Sequence, residues 1–298
     1  MNDRPLLFLA WAAAACQPEF SDEQWRIRAP RVLAVKSEPA EAKPGTPLVY
    51  TALVATVEPG ANPVPSWGYC TAPKPPIENN VVSTACLSAA SLLPIGQGVS
   101  IASAVPNDAC QRFGPDVLSG SFRPRDPDAT GGYYQPLRLE LPGAPPVFHL
   151  ERIECPLGGA AADIARDFAE RYVENQNPAL VSVVAASAGQ LVDFARVPAG
   201  ARLLFTASFA PGSAEEYSYF DPSTQALTTR REAMQVAWYV SDGTLDSETT
   251  GRGETDLDES SSNGWLAPSA PGRARLWVVL RDSRGGVDFS GYELTVLP

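Results

Sequence analysis

Few side chains in this sequence could do chemistry. There is one histidine, His149, and there are five cysteines, Cys16, Cys70, Cys86, Cys110 and Cys155. A serine nucleophile needs a base, usually histidine, held in place by a third group. Neither a GxSxG elbow nor an SxxK pair accompanies His149, and strand alternation sets it between Phe148 and Leu150 as a structural strand residue. Cysteine catalysis needs a reduced thiolate, which disulfides in an oxidising compartment would remove. No glycine-rich phosphate loop occurs, and no pair of carboxylates stands out as the two acids of a glycosidase. The residues therefore point to a protein that is not an enzyme and needs no cofactor.

Two clusters invite a binding reading. Asp256, Asp258 and Glu259 in TDLDESSSNG put carboxylates together in a long loop, a weak calcium candidate against the alternative of a solvated acidic loop. No CxxC pair occurs, so no zinc site is expected. Tyr217, Tyr219 and Phe220 lie in a segment that the second half of the chain carries and the first half lacks. Aromatics at a loop tip suit a sugar or protein surface; otherwise they cover the end of a core.

These residues have to be positioned by strands. Leu48 to Val57 and Tyr133 to Leu141 alternate or are rich in β-formers, as are Val147 to Cys155, Leu203 to Phe209, Val236 to Val240 and Ala274 to Arg281. Pro- and Gly-rich turns divide them, the pattern of a β-sandwich. Gly159 to Glu174 is the one good helix, with Ile164, Phe168 and Tyr172 on one side and Asn177-Pro178 as its stop. The segment GTPLVYTALVA, Gly45 to Ala55, aligns without a gap to GARLLFTASFA, Gly200 to Ala210. A Trp strand follows each, at Trp67 and Trp238, and Gly132 to Pro136 resembles Gly264 to Pro268. Three matches in one order suggest two related units.

The start of the chain sets the compartment. Arg4 precedes an uncharged apolar run, Leu6 to Ala15, too short to cross a bilayer and suited to a secretory signal. Ala13-Ala14-Ala15-Cys16 resembles the lipobox of bacterial lipoproteins, although Ala13 stands where Leu is usual. That resemblance implies cleavage before Cys16, acylation of its thiol, and a membrane partner reached through the lipid. Gln17 in place of Asp leans towards the outer membrane. With Cys16 used, four cysteines remain. Pairing Cys70 with Cys86 and Cys110 with Cys155 is favoured among the three possible pairings, each worth about 3–4 kcal/mol in a chain-entropy account. A net charge of −11 argues against nucleic acid, whose phosphates call for Lys and Arg.

A Trp on the third strand between two apolar sheets is similar to immunoglobulin-like and fibronectin-type sandwiches. The whole reads as all-β, with two immunoglobulin-like β-sandwich domains joined by one α-helix after a signal peptide. Residues 1–15 are the lipoprotein signal, 16–30 the lipidated cysteine and tether, 31–157 a disulfide-bearing sandwich, 158–178 the helical linker and 179–298 the second sandwich. The expected role is a non-catalytic, lipid-anchored envelope protein that binds or supports a protein or glycan of the envelope. A carbohydrate-binding or adhesin-type surface protein is the alternative, and a carboxylate-based hydrolase comes third.

Overall fold

A computed structural model of the chain describes residues 23–58, 60, 63–75, 77–115 and 130–298. The leader and Cys16 lie outside these described residues. The chain begins with β1 (Arg31–Glu38), β2 (Glu41–Ala42), β3 (Pro47–Ala55), β4 (Ser66–Cys70), β5 (Leu92–Gln97) and β6 (Ser100–Ala104). A short helix, α1 (Ala109–Arg112), and the hairpin of β7 (Tyr133–Glu140) and β8 (Val147–Ile153) complete the first half. Sheet β1-β3-β6 faces sheet β2-β8-β7-β4-β5. Alternation on β3 drives the packing: Leu48, Tyr50 and Ala52 point inward against Trp67, Tyr69, Leu137 and Leu139 of the opposite sheet.

Helix α2 (Ala162–Glu170) is shorter than its sequence pattern: Arg171 caps it, and Tyr172, which continues the apolar period, lies beyond its end. The second half then runs through β9 (Leu180–Ser187), β10 (Gln190–Val192), β11 (Val197–Pro198) and β12 (Arg202–Phe209). A hairpin follows, β13 (Glu216–Asp221) with β14 (Ala226–Arg231). After it come β15 (Met234–Val240), β16 (Thr244–Leu245), β17 (Thr249–Arg252), β18 (Ser260–Leu266), β19 (Gly272–Asp282) and β20 (Val287–Leu297). Sheet β10-β9-β12-β18-β16 faces sheet β11-β20-β19-β15-β17 around a second core.

The two halves share one topology. β1, β3 and β6 correspond to β9, β12 and β18, and β8, β7, β4 and β5 to β20, β19, β15 and β17. In each half a two-residue strand runs parallel to the last strand, β2 on β8 and β11 on β20. This all-β, paired-sheet arrangement is consistent with immunoglobulin-like sandwiches. The repeated segment falls on the equivalent strands β3 and β12, and its aromatics pack alike. Tyr50 stacks on Trp67 at 6.0 Å and 21°, and Phe205 on Trp238 at 6.3 Å and 16°. The third sequence match fails, since Gly132 to Pro136 enters β7 whereas Gly264 to Leu266 closes β18, the counterpart of β6.

The outer face of the β1-β3-β6 sheet is covered at β1 and the end of β3. Leu33, Ala34 and Ala55 from this sheet join Ala237, Trp277, Val279 and Val287 from the outer face of the β15-β19-β20 sheet in a third apolar cluster. Four sheets thus stack face to face. Ile27, 1% exposed, sits in this seam, and Trp25 is buried in the second core. Ile27 N donates to Val240 O at 2.9 Å and Val240 N to Trp25 O at 3.1 Å, so the segment extends the sheet edge beyond β17. A free tether was expected through Pro30, but its last residues are a wedge, because an apolar Trp and Ile gain more from burial than from water. Replacing Ile27 with Ala should cost about 2–5 kcal/mol in a urea melt. A change within error would mean that the segment does not hold the seam.

Candidate functional site

The aromatics expected at a loop tip are not displayed. Tyr217 and Phe220 are buried and Tyr219 half-buried, on the hairpin β13–β14 rather than in a loop. The Arg230 guanidinium covers the Tyr219 ring at 3.8 Å, and that of Arg284 lies 4.8 Å from the Tyr217 ring. The hairpin folds down over both ends of α2: Ser218 Oγ donates to Arg171 O at 3.4 Å and Gln225 Nε2 to Gly159 O at 3.4 Å. Tyr217 and Tyr219 share one face of β13 and Phe220 lies on the other, so contacts on both faces of the hairpin keep these rings from display.

Beneath the hairpin the seam carries buried charge. Glu41 pairs with Arg152 at 3.2 Å and also accepts from Asn175 N at 2.9 Å and from the Tyr172 hydroxyl. Arg152 donates onward to Thr130 Oγ1 at 3.0 Å, to Tyr134 OH at 3.1 Å and to Arg284 O at 3.5 Å. Arg284 in turn donates to Glu232 at 2.6 Å, to Glu215 at 2.7 Å and to Val173 O at 2.6 Å. Asp282 Oδ1 accepts from the backbone N–H groups of Arg284, Gly285 and Gly286 in the β19–β20 turn. A Cβ on Gly286 would strike the Asp282 carboxylate and come within 2.8 Å of Gln176 O, so only glycine fits there. The stretch after α2, expected as part of a spacer, is bonded into both halves. Asn177 donates to Ser37 O of β1 at 2.6 Å and accepts from Val287 N of β20 at 2.8 Å. Apart from Glu215, which lies in the inserted segment that holds Tyr217, none of these charged residues stands out in the sequence, because their partners lie far apart along the chain.

The other candidates resolve differently. Asp256, Asp258 and Glu259 are exposed and do not converge. Asp256 turns back to accept from Asp258 N at 3.0 Å, and the guanidinium of Arg252 bonds the Asp256 carbonyl. No group of acids, cysteines or histidine able to hold a metal is found among the described residues, so the calcium candidate is corrected to an acidic loop folded around an arginine. His149 points inward, 3.4 Å from Glu151 and edge-on to Tyr50. Burial pushes the Glu151 carboxyl above its usual range, against the lowering effect of His149. Tyr50 and Tyr69 share a hydrogen bond of 2.9 Å beside it.

The cystines form as expected, Cys70–Cys86 and Cys110–Cys155, with Cα separations of 5.4 and 5.7 Å. Cys110–Cys155 ties α1 to the end of β8. Cys70–Cys86 draws a long loop back over the outer face of its sheet, where Arg138 fixes it by donating to Leu87 O at 2.7 Å. Glu78 accepts from both the backbone N–H and the hydroxyl of Thr84, 2.8 Å each, which braces the loop from within. Between this loop and β8 an open trough of about 440 Å³ remains, lined by Val81, Val82, Leu87, Phe148 and Leu150 with Ser83 and Thr84. Val81 is 75% and Leu87 54% exposed at its rim. The loop's Pro and Asn composition hid this, since its apolar residues face a strand remote in sequence.

No protein-family model matches the chain, and no curated protein matches it. Similar solved structures include the adhesin InvE of Yersinia pseudotuberculosis, at 11% identity and a TM-score of 0.23 over 89% of this chain. A marsupial T cell receptor is at 9% and 0.24 over 89%, and the native conformation of Escherichia coli alpha-2-macroglobulin at 11% and 0.25 over 93%. This chain spans 58% of the adhesin's length, 99% of the receptor chain's and 17% of the macroglobulin's. TM-scores of this size carry no argument about function.

The seam charges make stability depend on pH. Burial, then the neighbouring Asp282, raise the Glu232 pKa from 4.5 to about 7, opposed by Arg284; burial raises Asp282 as well. Between the unfolded value of 4.5 and about 7 the folded chain holds more protons than the unfolded one, so stability falls as pH rises through that window. Urea midpoints should drop between pH 5 and pH 8, and Glu232→Gln should flatten the drop. An identical slope in the variant would remove Glu232 from this role.

Proposed function

We propose that this chain is a non-catalytic, lipid-anchored protein of the bacterial envelope, two immunoglobulin-like sandwiches fused into one rigid body that presents a binding surface. The observation that carries the binding role is the apolar trough beside the Cys70–Cys86 loop. Its rim exposes Val81 and Leu87, which gain by burial against a partner, and the cystine and Arg138 hold the loop in place beforehand, lowering the ordering cost of association. With apolar walls and only short polar side chains, the trough suits an apolar segment of another protein better than a glycan. The glycan reading rested on Tyr217, Tyr219 and Phe220, two of which are buried.

The address is supported by arithmetic among the cysteines. Both cystines are complete without Cys16, which leaves that thiol for acylation, and two cystines suit an oxidising compartment. A carboxylate hydrolase would need a cleft between its acids, and the seam between the halves is filled by apolar side chains and the connector.

A photo-crosslinking residue placed at Leu87 in intact cells should give an adduct of discrete mass that Val81→Asp abolishes, while the same residue at exposed Leu257 gives none. Equal labelling at both sites, or none at Leu87, would dismiss the trough. Labelled palmitate should enter the wild-type protein and not Cys16→Ser; an unlabelled wild type would dismiss the anchor and leave the trough standing.

A further inference from the structure

Among the described residues, strand β6 is an unguarded sheet edge. Natural proteins blunt such edges with charge, proline, bulges or brevity, because free N–H and C=O groups template pairing with another chain. The other edges here follow that rule. β2, β11 and β16 have two residues each, β10 has three, and β17 has four, including Gly251 and Arg252. β5 contains Pro94 opposite an irregular register, β1 is bulged between Val32 and Ala34, and the β13–β14 hairpin carries Glu216, Asp221, Arg230 and Arg231. β6, Ser-Ile-Ala-Ser-Ala, has none of these devices.

Its register shows which groups are free. Ala52 N donates to Val99 O and Val105 N to Thr46 O, and Tyr50 lies opposite Ile101 and Leu48 opposite Ser103. In an antiparallel ladder this turns the main-chain groups of Ile101 and Ser103 towards β3 and those of Ser100, Ala102 and Ala104 outward. These three residues are exposed, and no described residue bonds their outward groups. The second half shows what this position accepts. There β18, the counterpart of β6, pairs on its outer side with β16, Thr244 opposite Leu266 and Leu245 opposite Trp265. The first half has no such strand among the described residues.

We propose that β6 is a strand-pairing surface whose occupant is β6 of a second copy of this chain. The two strands run antiparallel across a two-fold axis at Ala102, placing Ser100 opposite Ala104 and joining two three-stranded sheets into one. Such a contact is isologous and offers about six main-chain hydrogen bonds. The argument for a second copy is charge and shape. No Asp, Glu, Lys or Arg lies between Glu78 and Asp108, so the edge carries nothing that selects an unlike partner. On a chain of net charge −11, a neutral edge adds no close like-charge contact to the repulsion between copies, which salt screens beyond about 8–10 Å. The outward side chains are small enough to face their own copies, and exposed Val49 and Val99 flank the edge and lose water on pairing.

Sedimentation equilibrium across the micromolar range, on the full chain purified as cells leave it in mild detergent, tests this. Wild type should dimerise. Ala102→Lys, which sets two charges against each other at the axis, should weaken the dimer about tenfold or more. Ala102→Pro removes only the outward N–H and should do the same, with unchanged circular dichroism. Gln190→Lys, on the guarded edge β10, should leave the dimer intact. A wild type that stays monomeric, or an Ala102→Lys variant that dimerises as wild type does, would overturn the proposal.

Discussion

Everything else in this structure depends on the apolar seam between the two sheet pairs. A sandwich normally leaves the outer faces of its sheets to water, and units joined by a linker move relative to each other unless a large hydrophobic contact stops them. Here β1 and the end of β3 are buried on both sides, by their own partner sheet and by the outer face of β15, β19 and β20, while β6 stays at the open edge. Trp277, Val279 and Ile27 fill the space between, so separating the halves would expose apolar surface at roughly 25 cal/mol per Å².

Around this seam charge has been taken out of water. Arg152 and Arg284 are almost fully buried, and each is surrounded by carboxylates, carbonyls and hydroxyls contributed by segments distant in sequence. Buried pairs of this kind seldom add net stability, because desolvation offsets the attraction. Their effect is on specificity: Arg152 reaches Arg284 O, and Arg284 reaches the connector at Val173, in only one arrangement of the two halves. The hairpin that the second half adds between β12 and β15 closes this cluster with Tyr217. The trough and the β6 edge therefore keep fixed positions on a single body.

Much of the fold is legible locally. The segment from Gly45 to Ala55 and its counterpart from Gly200 show strand alternation, a following Trp and the same inward aromatic, because a strand's face is written in every second residue. The cystine pairing follows from sequence proximity. What stays hidden depends on remote partners. Trp25 and Ile27 look like a tether because nothing nearby explains them, while Val240 lies more than two hundred residues away. Tyr217 and Phe220 look displayed because an insertion between strands suggests a loop, but it forms a hairpin paired at Arg230 and Leu227, and both rings are buried on its opposite faces. The match of Gly132 to Gly264 misled because a Gly followed by an aromatic and a Pro marks any strand boundary.

The rigid seam can be measured directly. Spin labels at Val81 on the first half and Leu191 on the second, both exposed, report the distance between the halves by pulsed electron resonance at spin dilution. A single narrow distribution, unchanged by ionic strength, is the predicted result. A broad or multi-peaked distribution would mean that the halves move independently and would contradict the account.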